Sequence, residues 1–339
     1  MRPRKIFVGL LVAGALASAA GTPHRPAPVT RPPEGGIGIR LLEAPVEARA
    51  DARAWSYIVD HLAPGSVIHR RVEVFNTTRS PKHLSIYAAA AEIRDRRFQF
   101  GVDHTPNELS TWTTLDRHEV ILAPRARSTV NATIAVPDDA AAGERYAVIW
   151  AEAAKAAPPG GGVAEINRVG IRIYLSVGRG NAPASAFTID SLTAQRSPDG
   201  RQTVLARVHN TGGRALDLGG DLKLSDGPSR LNAGPFKIET GTTLAPGDFG
   251  SVAAVLDEQV PDGPWRARIR LESGLAKRTA EATIRFPAAG TARPVRAEMD
   301  TSYHPVAILA LGAFLSAGVA VTLRLTRRRR RPRGEGSDV

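Results

Sequence analysis

Between residues 94 and 114 the chain gathers Phe98, Phe100, His104, Asn107, Glu108 and Trp112. Aromatic faces stack on sugar rings, while amides, carboxylates and imidazoles hydrogen-bond to hydroxyls. These residues are therefore the candidate ligand-binding set, carried on a connection longer than a hairpin needs. The same residue types also pack, and Trp112 is read equally as a core side chain. Residues 158–162, Pro-Pro-Gly-Gly-Gly, form a second candidate, either a tip that reaches a partner or a solvated turn.

No pattern that carries a reaction accompanies them. His24, His61, His69, His83, His104, His118, His209 and His304 never take the i, i+4 spacing of a metal-binding H-E-x-x-H helix. Neither a G-x-S-x-G elbow nor a phosphate-cradling G-x-x-x-x-G-K-[ST] loop occurs. Asp103-His104 with a distant serine would supply the residue types of a hydrolase triad, but a chain of this size contains those types by chance. Asp138-Asp139 and the acids of 217–221 lack the dense spacing of a calcium loop and read as solvated turns. The acceptor patterns Asn76-Thr77-Thr78 and Asn131-Ala132-Thr133 fall where strand and turn residues are expected anyway. The chain has no cysteine, which removes thiol catalysis, thiolate metal sites and disulfides. The expectation is a protein without catalytic residues, metal or cofactor.

What must position the candidates is a set of strands. At 168–177, Val169, Ile171, Ile173, Leu175 and Val177 alternate with Arg168, Gly170, Arg172, Tyr174 and Ser176, the pattern of a strand buried on one face. Similar stretches occur at 67–75, 84–90, 129–136, 146–151, 204–208, 252–256, 265–271 and 280–286. They are separated by turn pairs such as Pro64-Gly65, Asp199-Gly200, Pro246-Gly247 and Asp262-Gly263. The Gly, Asn and Pro of 178–184 mark a domain boundary. On both sides of it a Leu-Ala-Pro turn (Leu122, Leu244) leads to a Val-Pro-Asp corner (Val136, Val260). A glycine and an aromatic-led strand (Tyr146, Trp265) follow, with Asn76-Thr77 and Asn210-Thr211 in matching places. Tyr146 and Trp265 are expected to start core strands with their polar tips bonded to backbone. The fold predicted is all-β: two tandem immunoglobulin-like β-sandwich domains, 36–178 and 183–287, followed by a linker at 288–305 and one C-terminal transmembrane helix.

The chain ends support that plan. Arg2, Arg4 and Lys5 precede an apolar run and small residues at 17–19, the layout of a cleavable signal peptide over 1–19, and a Pro-rich spacer follows at 20–35. Residues 306–323 carry no charge and approach the length of a bilayer span; Arg324, Arg327 to Arg331 and Arg333 then place the 324–339 tail in the cytoplasm. The net charge of +12 invites a nucleic-acid reading, but the leader and the tail hold most of it, leaving +4 for residues 20–305. No nucleic-acid partner is expected. The Arg-rich tail is expected to meet anionic membrane lipid. Abundant Ala, Arg, Gly and Pro with little Lys suggest a bacterial source.

The first domain resembles the peptidoglycan-binding domain of the WxL-interacting cell-surface protein family. The matching features are the stretch from Pro64-Gly65 to Asn76-Thr77, the segment 108–112, the Leu122-Ala123-Pro124 turn, residues 129–137, and Ala142-Gly143-Glu144-Arg145-Tyr146 before a strand. The resemblance covers 36–178 and implies contact with cell-wall peptidoglycan by the first domain, with the second free for a surface protein. The function expected is that of a non-enzymatic, membrane-anchored binding or scaffolding protein of the bacterial envelope. An alternative is an accessory subunit that stabilises a membrane or surface partner.

Overall fold

The computed structural model describes residues 36–155 and 165–300. The predicted leader, spacer, 158–162 tip, transmembrane run and basic tail lie outside the described residues. Among the described residues no helix is long and apolar enough to cross a membrane.

The chain is all-β. Its first ten strands are β1 (Ile37–Leu41), β2 (Ile58–Leu62), β3 (Val67–Asn76), β4 (Lys82–Arg94), β5 (Arg97–Phe100), β6 (Thr113–Leu115), β7 (Glu119–Leu122), β8 (Arg127–Ala135), β9 (Gly143–Lys155) and β10 (Glu165–Val177). They form one sheet in the order β1-β3-β8-β6 and another in the order β2-β10-β9-β4-β5, with β7 also on β4. Alternation produces the core: Val130, Ala132 and Ile134 of β8 and Ile171, Ile173 and Leu175 of β10 point inward with Val72, Leu84, Ile86 and Ile149. β4 changes partners along its length, from β7 to β9 and then to β5. The hairpin that results turns at Asp95-Arg96, both at positive φ, the conformation of a two-residue turn that matches strand twist.

Twelve strands follow: β11 (Phe187–Arg196), β12 (Gln202–Asn210), β13 (Leu216–Asp217), β14 (Gly219–Ser225), β15 (Ala233–Lys237), β16 (Thr243–Leu244), β17 (Phe249–Val255), β18 (Trp265–Ser273), β19 (Ala276–Ile284), β20 (Gly290–Thr291), β21 (Val295–Arg296) and β22 (Glu298–Met299). One sheet runs β17-β12-β11 with β20 and β21 on β11; the other runs β15-β14-β18-β19-β22. Their shared core holds Phe187, Val204, Leu222, Trp265, Ile269 and Phe286. The segment expected as linker from 288 departs from that reading: β20 and β21 pair with β11, β22 pairs with β19, and Ala297 enters the core. Its strands are two residues each, too short for an alternation to announce them.

The matching asparagines do the same work. Asn76 Nδ2 donates to the carbonyls of Ser80, Leu122 and Ala123 at 2.8, 3.3 and 3.1 Å, and Asn210 Nδ2 to those of Arg214, Leu244 and Ala245 at 2.9, 3.1 and 3.0 Å. Each Oδ1 accepts the backbone N–H two residues on, from Thr78 and Gly212. Both are buried, so each clasp ties the end of an early strand to its Leu-Ala-Pro turn. Trp265 meets expectation, its Nε1 donating to the Pro261 carbonyl at 2.7 Å. Tyr146 does not: its hydroxyl donates to the Glu144 carboxylate, because the second sheet pair packs over this strand.

Candidate functional site

The structure separates the predicted site residues into three places. Asn107 is structural. It caps the one-turn helix α1 (Glu108–Thr111) by accepting the Ser110 N–H at 2.9 Å, and its amide donates to the Tyr146 carbonyl at 2.7 Å. Glu108 bonds Arg145 Nε at 2.8 Å, while the Arg145 guanidinium lies 5.0 Å over the Trp112 ring; Trp112 itself is half-buried against the first core. Phe98 is buried where the halves meet, 5.0 Å from Tyr174 and 6.0 Å from Tyr146.

Phe100 and His104 come together on the outer face of the β2-β10-β9-β4-β5 sheet. There Tyr87 of β4, Trp150 of β9 and Gly170 of β10 lie in register across three strands. His104 stacks on Tyr87 at 3.7 Å, Phe100 meets Trp150 edge-on at 4.7 Å, and Arg168 lies 4.9 Å over the same indole. The Tyr87 hydroxyl donates to Glu152 at 2.6 Å; burial first, and then that carboxylate, push its titration up to about 12. Tyr87 and Trp150, which sequence reasoning missed as site residues, are thus covered by the loop aromatics and by Arg168.

Gly170 is what lets the indole lie flat here. A Cβ at that position would stand 2.6 Å from Trp150 Cε3 and 2.7 Å from Val148 Cγ2. Gly170→Ala is accordingly expected to destabilise the protein by about 1–3 kcal/mol, the usual cost of overpacking, read as a lower urea midpoint at constant m-value.

Gly170 also lies on a stretch of β10 that has a strand partner on one side alone among the described residues. β10 pairs with β9 from Glu165 to Val177, but with β2 only from Ile173 to Val177. Among the described residues no strand pairs with the other side of 165–172. Such an edge presents unpaired N–H and C=O groups.

The third place is a seam that sequence patterns did not announce. Alternation puts Tyr174 and Ser176 of β10 on the outer face, yet both are buried. Asp217 of β13 accepts the Tyr174 hydroxyl at 2.9 Å and the Thr243 hydroxyl at 2.7 Å, with Arg53 at 3.0 Å and Arg172 at 3.5 Å. Reciprocally, Glu144 of β9 accepts the Ala215 N–H and the Tyr146 hydroxyl, each at 2.7 Å, with Arg214 at 3.7 Å. Burial raises Glu144 above the usual carboxylate range, and burial also lifts the Tyr146 and Tyr174 hydroxyls. The β4–β5 hairpin completes the seam, its Arg96 carbonyl accepting the Thr243 N–H at 2.8 Å. Both carboxylates are engaged across the junction, Asp217 Oδ1 by the two hydroxyls and Oδ2 by the Arg53 ion pair, so the seam ties the halves together. Among the described residues no three His, Asp or Glu converge as metal ligands.

No protein-family model and no curated protein sequence matches the chain. Among solved structures it is similar to the class 5 fimbriae chaperone CfaA, at 14% identity over 68% of this chain and 97% of that one, TM-score 0.35. It is also similar to the Escherichia coli chaperone DraB, at 12% identity over 72% and 95%, TM-score 0.35. The YadV chaperone is similar at 11% identity over 73% and 99%, TM-score 0.38. At these identities and TM-scores the likeness carries no inference about what the chain binds.

Proposed function

We propose that the chain is a non-enzymatic, membrane-anchored binding and scaffolding protein of the bacterial envelope, which holds peptidoglycan or a wall-associated protein through its first half. The observation that carries the binding reading is the open edge of β10 at 165–172, standing beside an aromatic cluster on a sheet face. Edges of this kind take up extended partners through main-chain hydrogen bonds. The resemblance of 36–178 to a peptidoglycan-binding domain and the apolar run at 306–323 support the envelope setting.

The test uses the full-length protein in detergent, cosedimented with isolated cell walls at low and high salt, beside Arg168→Pro and Val169→Pro variants. Adjacent residues of an antiparallel strand point their N–H groups in opposite directions, so one of these prolines removes an outward donor and leaves the β9 ladder intact. Wild type is expected to sediment at both salt concentrations. One variant is expected to lose retention at an unchanged unfolding midpoint, whereas its neighbour loses stability. If wild type brings down neither wall nor any surface protein, the reading is wrong.

A further inference from the structure

The last described strand sets the direction in which the chain continues. β22 pairs antiparallel with β19, Met299 against Ala280 and Glu298 against Glu281, and the Asp300 N–H donates to the Thr279 carbonyl at 2.9 Å. At that point the chain is travelling toward the β18–β19 turn at Gly274-Leu275, which lies four residues, or about 14 Å, beyond Thr279. From Asp300 to Val306, the first residue of the apolar run, is six residues, at most about 20 Å of extended chain. A bilayer entered at Val306 therefore lies at the turn or a few ångströms past it. What stands there is apolar: Leu275 is 60% exposed. The 46–55 segment of the first half lies against the turn, since Arg53 Nη1 donates to the Ser273 hydroxyl at 3.3 Å and a Cβ at Gly274 would stand 2.5 Å from Asp51 Oδ2. That segment exposes Val46 and Trp55, the latter at 49%, with the indole N–H bonded to the Arg49 carbonyl at 3.0 Å. Charge around them is mixed. Exposed Arg49, Lys277 and Arg278 stand beside Asp51 and Glu272, and Lys277 pairs with Glu272 at 3.4 Å.

We propose that the corner formed by the β18–β19 turn and the 46–55 segment rests on the lipid bilayer that anchors the chain, with Leu275 and Trp55 in the headgroup layer. This inference rests on the reading of the chain as membrane-anchored. A tryptophan suits that layer, because its ring is apolar over most of its area and polar at one tip. Since the charges at the corner are mixed, the apolar side chains hold it down, and docking persists at high salt and on neutral lipid. The corner takes residues from both halves, so contact with the bilayer fixes how both stand on the membrane. A soluble partner fits less well, because it would have to enter a gap only a few ångströms deep between the turn and the bilayer.

The chain has no cysteine, so an introduced one reports without background. Full-length Leu275→Cys protein is labelled with bimane in nanodiscs of neutral lipid, with and without a lipid that carries a nitroxide quencher at the headgroup boundary. Glu258→Cys protein is the control, labelled at an exposed position between β17 and β18, at the opposite end of β18 from the turn. The label at 275 is expected to lose fluorescence to the nitroxide at low and at high salt, and the label at 258 to keep it. Adding Trp55→Ser is expected to restore about half of the lost signal at an unchanged unfolding midpoint. Quenching at 275 that is no stronger than at 258, or that Trp55→Ser leaves unchanged, in protein that copurifies with the discs overturns the docked corner and leaves the anchor standing. Protein that fails to enter the discs overturns the anchor and the inference with it. Pairs of unlabelled chains crosslinked through the cysteine at position 275, in place of quenching, assign the surface to a second copy and also overturn the inference.

Discussion

Asp217→Ala is expected to lower stability by about 2–4 kcal/mol and to divide a single calorimetric transition into two. The side chain joins two hydroxyls and two arginines contributed by both sheet pairs. Removing it takes the paired anion from Arg53, whose side chain is 11% exposed, and from Arg172, at 27%. Breaking one side of a buried pair costs about 3–5 kcal/mol; residual exposure of Asp217 and Arg172 reduces that figure. Asp217→Asn keeps an acceptor for the Tyr174 and Thr243 hydroxyls but loses the charge and turns an N–H2 toward Arg53, so its deficit should be smaller than that of the alanine variant yet not negligible. The split transition is the sharper readout. If the seam is what couples the halves, heating the Asp217→Ala protein melts them separately, and protease cuts the 178–186 connection sooner. A single transition with only a lowered midpoint would mean that the halves are coupled by their other contacts, such as the Arg96 to Thr243 bond and the packing of Phe98 on Tyr174.

The seam also explains where sequence reasoning stopped. A period of two identifies the inward face of β10, because Ile171, Ile173 and Leu175 repeat every second residue and all are buried. It says nothing about what covers the other face. Arg172 and Tyr174 look like solvent-facing residues until the second sheet pair closes over them, and the partners that settle their fate, Asp217 and Thr243, lie far along the chain. Phe98 and Asn107 were misplaced for a related reason: their residue types suit ligand binding, but one fills the seam and the other caps a helix and bonds the backbone of β9. Phe100 and His104 were legible as exposed aromatics, whereas Tyr87 and Trp150 beneath them had the look of ordinary strand residues. The open edge of β10 follows from the parallel pairing of β2, which stops at Ile173. Nothing in a local sequence window reports where a distant strand ends.

The twin clasps were the feature most directly written in the residues, and their loss should have the second large effect. Asn210 is wholly buried, and its amide supplies three carbonyls, while its Oδ1 takes the Gly212 N–H. Asn210→Ala removes these bonds, one of them wholly buried at the Leu244 carbonyl, so a loss of about 2–4 kcal/mol in urea unfolding is expected. Asn76→Ala should cost a similar amount, since Asn76 meets the equivalent carbonyls of Ser80, Leu122 and Ala123. Asn210→Asp separates hydrogen bonding from shape. It keeps the size and the acceptor but sets a carboxylate against carbonyl oxygens in a dry site, where both burial and the lost donors favour the protonated form. The new group's folded pKa then lies above its unfolded value, so the variant should be least stable at neutral pH and regain stability as pH falls through that raised value. Wild-type levels of stability in Asn210→Ala, or a pH-independent deficit in Asn210→Asp, would show that packing rather than the amide's hydrogen bonds holds the strand to its turn.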